Sequence, residues 1–312
     1  MEYVRIDERP TLREPVLIVA FAGWNDAAEV ATTAARLVAR QLGGRRFATL
    51  DAEDFYVFTE TRPTVKIVGG NTRHIDWPTN EFFAVDNPSG NRDFLVLVGV
   101  EPQLRWRTFT KEILDLCEGL GVKLIVGLGG LLADVPHTLP PKFTGSATDP
   151  ELHRRIRGLQ ISGSRYEGPT GILGVLTATA RERGMESASI WGNVPHYISS
   201  TFNPRVALGL LRQLSQLLDI QMSFSDLERQ ADTFDAEVTE VVSHNPEVAD
   251  YVRQLEQRQG RRRRRAAEIP PTELPSGEQL IQDVEAFLKR QPPTTPEEDD
   301  EEQEDDDEEE EK

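Results

Sequence analysis

Apolar residues in this chain fall into short unbroken runs separated by stretches of helical spacing. The runs are VLIVAF (16–21), RFATL (46–50), TVKIVGG (64–70), FLVLVGV (94–100), KLIVGLG (123–129) and SASIWGNV (187–194). A strand that is apolar at consecutive positions has both faces buried, which requires helices on both sides of a sheet. The spacing predicts helices over 26–42, 105–120, 169–183 and 204–219, alternating with the strands. The expected architecture over residues 1–220 is therefore an α/β three-layer domain with a mainly parallel central sheet.

One interval breaks the alternation. Residues 64–92 contain extended runs around NTRHIDWPTNEFF, with Pro78 and Asn80 as turn formers and no helical period. This predicts a β-hairpin inserted into the sheet or projecting from it, with strand edges that a partner subunit would cover.

Beyond Leu218 the pattern is helical, with Leu227, Phe234, Val238, Val241 and Val242 near a 3.6-residue repeat and a break at Asn245-Pro246. Residues 221–259 read as a helical extension packing on the core, as a lid over its ligand-facing edge. A basic, proline-rich linker is expected at 260–275, a short amphipathic helix at 276–290 and an acidic tail at 291–312.

Charge sharpens this division. Fourteen of the fifteen residues 297–311 are Asp or Glu, and with Lys312 they carry −13 of the net −18, leaving −5 for residues 1–296. A self-repelling run with no apolar area cannot offset the entropy of ordering, so the tail is expected to be disordered. Its sequence suits solubility, or contact with a basic partner or the chain's own arginines at 261–265.

The single cysteine, Cys117, excludes an internal disulfide and fits a reducing compartment. It shares a helical face with Ile113, Leu116 and Leu120, which is the setting of a structural thiol. No apolar run approaches the ~20 residues of a membrane helix and the N-terminus has no secretory pattern, so a cytoplasmic protein is expected.

Candidate chemistry gathers where loops leave the carboxyl ends of the strands, the place where open α/β sheets bind ligands. The first turn supplies Trp24, Asn25 and Asp26; the turn after FLVLVGV supplies Glu101, Pro102, Arg105 and Trp106. Asp134 and His137 follow the next run, His196 and Tyr197 follow SASIWGNV with its Asn193, and Arg165, Tyr166, Thr170 and Gly171 precede the helix at 169.

Each also has a structural role. Asn25 or Asp26 is an N-cap, and an acid there disfavours phosphate, whereas the helix after GPTG has no acid in its first turn and would be the better anion site. His137 and His196 each follow Val-Pro and could serve acid–base chemistry, but no metal-ligand spacing accompanies them. Trp24 and Trp106 are packing anchors or stacking platforms.

Named motifs are missing: no G-x-x-x-x-G-K-[ST], no G-x-G-x-x-G in GLGGLLAD, no G-x-S-x-G. No metal site or cofactor is indicated, and the cofactor is left unknown. The arginine run has no interleaved aromatics and adjoins the acidic tail, so it does not read as a nucleic-acid interface.

As an ordered set, FAGWNDAA (21–28), GVEPQLRWRTF (99–109), VGLGGLLADVPHT (126–138), YEGPTGILGVL (166–176) and WGNVPHYIS with NPRVALGLL (191–211) resemble the proteasome assembly chaperone 2 family, in its long actinobacterial form. The resemblance implies a core like that of purine nucleoside phosphorylases, self-association as dimer or trimer, and α-type proteasome subunits as clients. The label "ATP-grasp superfamily" used for some members finds no phosphate-gripping lysine here, and the terminal EEEEK is not the hydrophobic–Tyr–any ending that docks into proteasome rings.

Two functions follow as expectations. The first is a non-enzymatic scaffold or assembly factor, with its apolar patch on an outer face or the hairpin and its carboxyl-edge loops packed shut. The second is a binding protein or enzyme for a nucleotide, nucleoside or phosphate-type ligand, held by Asn25, Asp26, Arg105, His137, Thr170 and His196.

Overall fold

Strand β2 (Val16–Ala22) shows why the chain layers as it does. Val16, Ile18 and Ala20 enter one buried cluster, and Leu17, Val19 and Phe21 enter another, because successive side chains leave a strand on opposite faces. Both sets are covered by helices. The first cluster is closed by α1 (Val30–Gln41), α3 (Pro150–Gly158) and α5 (Pro204–Leu218), the second by α2 (Trp106–Gly119) and α4 (Ile172–Glu182).

The computed structural model describes residues 2–69, 72–164 and 166–268. The short helix expected at 276–290, the acidic tail and Arg165 lie outside the described residues. The chain divides into two units, residues 1–260 and 261–312.

In the first unit the remaining strands are β1 (Val4–Ile6), β3 (Arg45–Leu50), β4 (Thr64–Val68), β5 (Thr72–Asp76), β6 (Asn80–Val85), β7 (Phe94–Val100), β8 (Leu124–Ala133), β9 (Phe143–Ala147), β10 (Ser162–Gly163) and β11 (Glu186–Pro195). The main sheet runs β1-β3-β6-β7-β2-β8-β11-β9-β10. Its centre, β7-β2-β8-β11, is parallel, and these are the strands whose sequences are apolar on both faces. Antiparallel strands extend both margins: β6, β3 and β1 on one side, β9 on the other.

The interval 64–92 divides in two. β4 and β5 pair as a separate two-stranded hairpin, while β6 joins the main sheet between β3 and β7. Asn80 is therefore no turn former. It is fully buried at the start of β6, donating through Nδ2 to the Tyr56 hydroxyl at 2.7 Å and accepting the Val100 N–H at 3.1 Å. Tyr56 in turn donates to the Val100 carbonyl at 2.6 Å, so this triangle ties the 51–62 loop to the end of β7.

After α5, α6 (Ser225–Ser243) and α7 (Pro246–Glu268) meet at the expected break, where the Asn245 side chain accepts the Val248 N–H at 3.3 Å. The apolar stripe of α6 is narrower than its sequence suggests: Leu227 and Ala231 are buried, but Val241 is 71% exposed. The linker expected from residue 260 is corrected at its start, since α7 runs on to Glu268. Arginine is a good helix former, and no proline interrupts the chain before Pro270.

Candidate functional site

The loop after β2 is built around Asn25 and Asp26. Gly23 takes φ +114°, a turn that frees the next residues to fold inward. Asp26 then caps α1 from five residues away, accepting the Ala31 and Thr32 N–H groups at 2.6 and 3.1 Å and the Thr32 hydroxyl. Between cap and helix, Ala28 and Glu29 pass through the left-handed region at φ 53° and 54°. Burial pushes the Asp26 carboxyl up despite these three donors.

The glycine pair within β8 completes the turn. Gly130 donates to the Asn25 carbonyl at 2.8 Å, and a Cβ there would lie 2.7 Å from Val30 and 2.8 Å from the Ala27 carbonyl. At Gly129 a Cβ would meet the Trp191 ring at 2.1 Å. The GLGG run serves close packing of the first loop and of β11.

Asn25 is 1% exposed and reaches across to the next loop, donating through Nδ2 to Glu101 Oε1 at 2.7 Å. The same oxygen accepts the Ile172 N–H at 2.7 Å, at the start of α4. The Asn25 amide and Glu101 Oε1 also face Gly171, where a Cβ would fall 2.3 to 2.7 Å from them. This corrects the anion site expected at Thr170 and Gly171: the protein's own carboxylate already accepts the first N–H of that helix, from Ile172. Thr170 is exposed and turns its hydroxyl to the Gly171 carbonyl, and Tyr166, 66% exposed, donates to the Pro169 carbonyl at 3.0 Å.

Arg105 is likewise engaged. It precedes α2 at φ 54° and bonds to the Tyr3 hydroxyl at 2.8 Å and to Asp54. That turns it to the β1 side, away from the histidines.

The two Val-Pro-His turns do come together. β8 and β11 run in register as far as Ala133 opposite Pro195, so Asp134 and His196 face each other, with Nδ1 to Oδ1 3.4 Å. Tyr197 receives the His137 backbone N–H on its hydroxyl at 2.7 Å, and that hydroxyl lies 2.8 Å from His137 Nδ1. Tyr251 of α7 packs edge-on to both His196 and Tyr197, at 5.5 and 6.2 Å between ring centres. Thr239 of α6 reaches His137 Nε2 at 3.4 Å, and Thr138 donates to Glu256 of α7. Asn193, half-buried in β11, takes part through its backbone, which donates to the Lys142 carbonyl at 3.0 Å.

Burial pushes the His137 imidazole down, although Asp235 and Glu256 pull it back, and burial pushes the Tyr197 hydroxyl up to about 12. The residues nominated at this edge thus form three groups: Asn25 with Gly171, Asp134 with His137 and His196, and Arg105 apart. Tyr251 and Thr239 also belong to these groups; they come from α7 and α6, whose placement no local pattern announces. Among the described residues no cluster of three or more His, Cys, Asp or Glu could hold a metal ion.

What remains open lies beside these groups. A groove of about 580 Å³ runs between the first loop and the 57–61 turn, with Trp24 60% exposed at its side. Beyond it stands the β4–β5 hairpin, exposed along almost its whole length, with Val65, Ile67, Val68 and Ile75 all between 48 and 68% accessible.

Five loops so arranged, with the Asn25–Glu101–Ile172 link at their centre, can be compared with known proteins. The PAC2 family model matches residues 20–242. The chain belongs to the PAC2 family. A PAC2 family protein from Streptomyces avermitilis is 41% identical, with a TM-score of 0.69, over 76% of this chain and 99% of that one. A Mycobacterium tuberculosis proteasome-assembly chaperone homologue is 37% identical with the same TM-score and coverage. Another M. tuberculosis protein, of unknown function, is 29% identical and has a TM-score of 0.75 over 83% of this chain and 91% of its own. No match is found among curated proteins. Among the described residues no helix is long and apolar enough to cross a membrane.

Proposed function

We propose that this PAC2 family chain is a non-enzymatic, self-associating assembly factor that holds protein partners on its β4–β5 hairpin, with α-type proteasome subunits as clients. The observation that carries the reading is the hairpin itself. Its register pairs Val65 with Ile75 and Ile67 with Arg73, so these four side chains share one face. The other face holds Lys66, Val68, Thr72, His74 and Asp76, with the Asp76 carboxylate against both Lys66 and His74.

A two-stranded hairpin is marginally stable alone, and an exposed apolar strand pair is a docking surface unless something covers it. The polar groups at the carboxyl edge support the same reading, because Asp26 and His137 are spent on backbone N–H groups and neighbouring side chains. The M. tuberculosis proteasome-assembly chaperone homologue supports a proteasome-related partner.

The test is capture of co-expressed α-type subunits by the full chain and by a Val65→Ser, Ile67→Ser, Ile75→Ser variant. Capture by the wild type, lost in the variant with an unchanged melting temperature, is the expected result. No capture, together with a thermal shift on adding nucleosides, nucleotides or acyl phosphates, would replace the docking reading with a small-molecule one.

A further inference from the structure

The groove beside Trp24 has a definite chemical character. Trp24 and Leu104, 60 and 45% exposed, offer apolar surface along it, and the half-buried Trp106 is held there by an indole N–H bond to the Pro102 carbonyl at 2.6 Å. Two carboxylates line it, Glu60 and Glu101, and among the described residues no lysine, arginine or histidine does. Glu101 spends Oε1 on Asn25 and Ile172, while its Oε2 accepts no hydrogen bond from any described residue. Glu60 has no ion pair among the described residues.

The groove also adjoins the hairpin. Val57 lines it, and the next residue, Phe58, packs edge-on against Trp77 at 4.9 Å between ring centres, one residue past the end of β5.

We infer that this groove is a subsite for an arginine side chain presented by a protein partner seated on the hairpin. A guanidinium is planar and weakly hydrated, so it stacks on an indole while its N–H fork meets carboxylates, a combination that an ammonium satisfies less well. Trp24 supplies the stacking surface, Glu101 Oε2 and Glu60 supply the acceptors, and Leu104 covers the methylene stem. An anionic or purely apolar residue would leave both carboxylates facing it unpaired. The inference rests on the protein-docking reading only for the source of the arginine; the groove's preference stands without any client.

The full chain, ¹⁵N-labelled, would be titrated with Nα-acetyl-arginine amide and, separately, with its uncharged isostere Nα-acetyl-citrulline amide. The chain has four tryptophans, whose indole N–H signals can be assigned with Trp→Phe variants. The signals of Trp24 and Trp106 are expected to move with the arginine probe and not with citrulline. That of Trp191, which packs against Gly129 on the sheet, should stay. Glu60→Gln and Trp24→Ala should each weaken the response by roughly threefold to fivefold, as an exposed ion pair or cation–π contact contributes about 0.5–1 kcal/mol.

Equal shifts with citrulline, shifts spread over all four indoles, or full affinity in both variants with unchanged melting curves would overturn the proposal. Arginine binding without capture of α-type subunits would keep the groove and sink the client. Capture without arginine binding would do the reverse.

Discussion

The carboxylate of Glu101 accepts the backbone N–H of Ile172 at 2.7 Å, so a residue at the end of one strand caps a helix 71 positions later. The same oxygen accepts the buried Asn25 side-chain N–H at 2.7 Å. Glu101→Ala would leave a buried donor without its partner, and a loss of about 2 kcal/mol in urea unfolding is expected. Glu101→Gln, which keeps an acceptor oxygen, should lose less. Equal losses in the two variants would show that the side chain matters for packing instead.

Asp93 fixes the entry to β2. Burial alone would push its carboxyl up, but hydrogen bonds from the Arg13 side chain and from the Asn87 and Arg13 N–H groups outweigh burial and hold it at about 2. A depressed acid stabilises the fold above its unfolded value near ~3.9 and loses that contribution as pH falls through the folded one. Denaturation between pH 4 and 2 should therefore cost the wild type about 1–2 kcal/mol that an Asp93→Asn variant does not lose over the same window. Parallel pH curves for the two proteins would refute the assignment.

His137 shifts stability in the same direction through a different cause. Its imidazole is pushed down by burial, partly countered by Asp235 and Glu256, while Tyr197 and Thr239 occupy its two nitrogens. The unfolded or opened form takes up a proton more readily than the packed form, so stability present at neutral pH is lost as pH falls below ~6.5. Hydrogen exchange in α6 and the first turns of α7 should speed up between pH 7 and 5, after correction for intrinsic rates, and His137→Gln should blunt the change. No pH-dependent change in α6 would disprove the link.

Cys117 is fully buried in α2, and burial pushes its thiol up to about 12. A thiol this far from ionisation is a poor nucleophile. It should resist iodoacetamide at pH 8 in the native protein and react fully after unfolding in guanidinium. Rapid native labelling would mean that α2 opens far more often than its packing implies.

Much of the fold was legible because burial on two faces leaves a local trace. VLIVAF, FLVLVGV, KLIVGLG and SASIWGNV all became central strands, in the parallel order that unbroken apolar runs demand. α3 was not among the expected helices, although Asp149 and Pro150, with Leu152 and Ile156 four apart, carry a local signal for it. β1, β9 and β10 were harder to see: they are margin strands of two to five residues whose pairing comes from distant segments.

Sequence by itself determined the layered α/β core, a helix cap at Asn25 or Asp26, the inert cysteine and the break before α7, because each depends on residues within a few positions of one another. Only the tertiary structure decided what the carboxyl edge does. It set Glu101 on the helix start that looked ready for an anion, turned Arg105 toward Asp54, and covered His137 and His196 with Thr239 and Tyr251. A free charge and a paired one have the same sequence, and which of them a residue becomes depends on partners that folding alone brings within 3 to 4 Å.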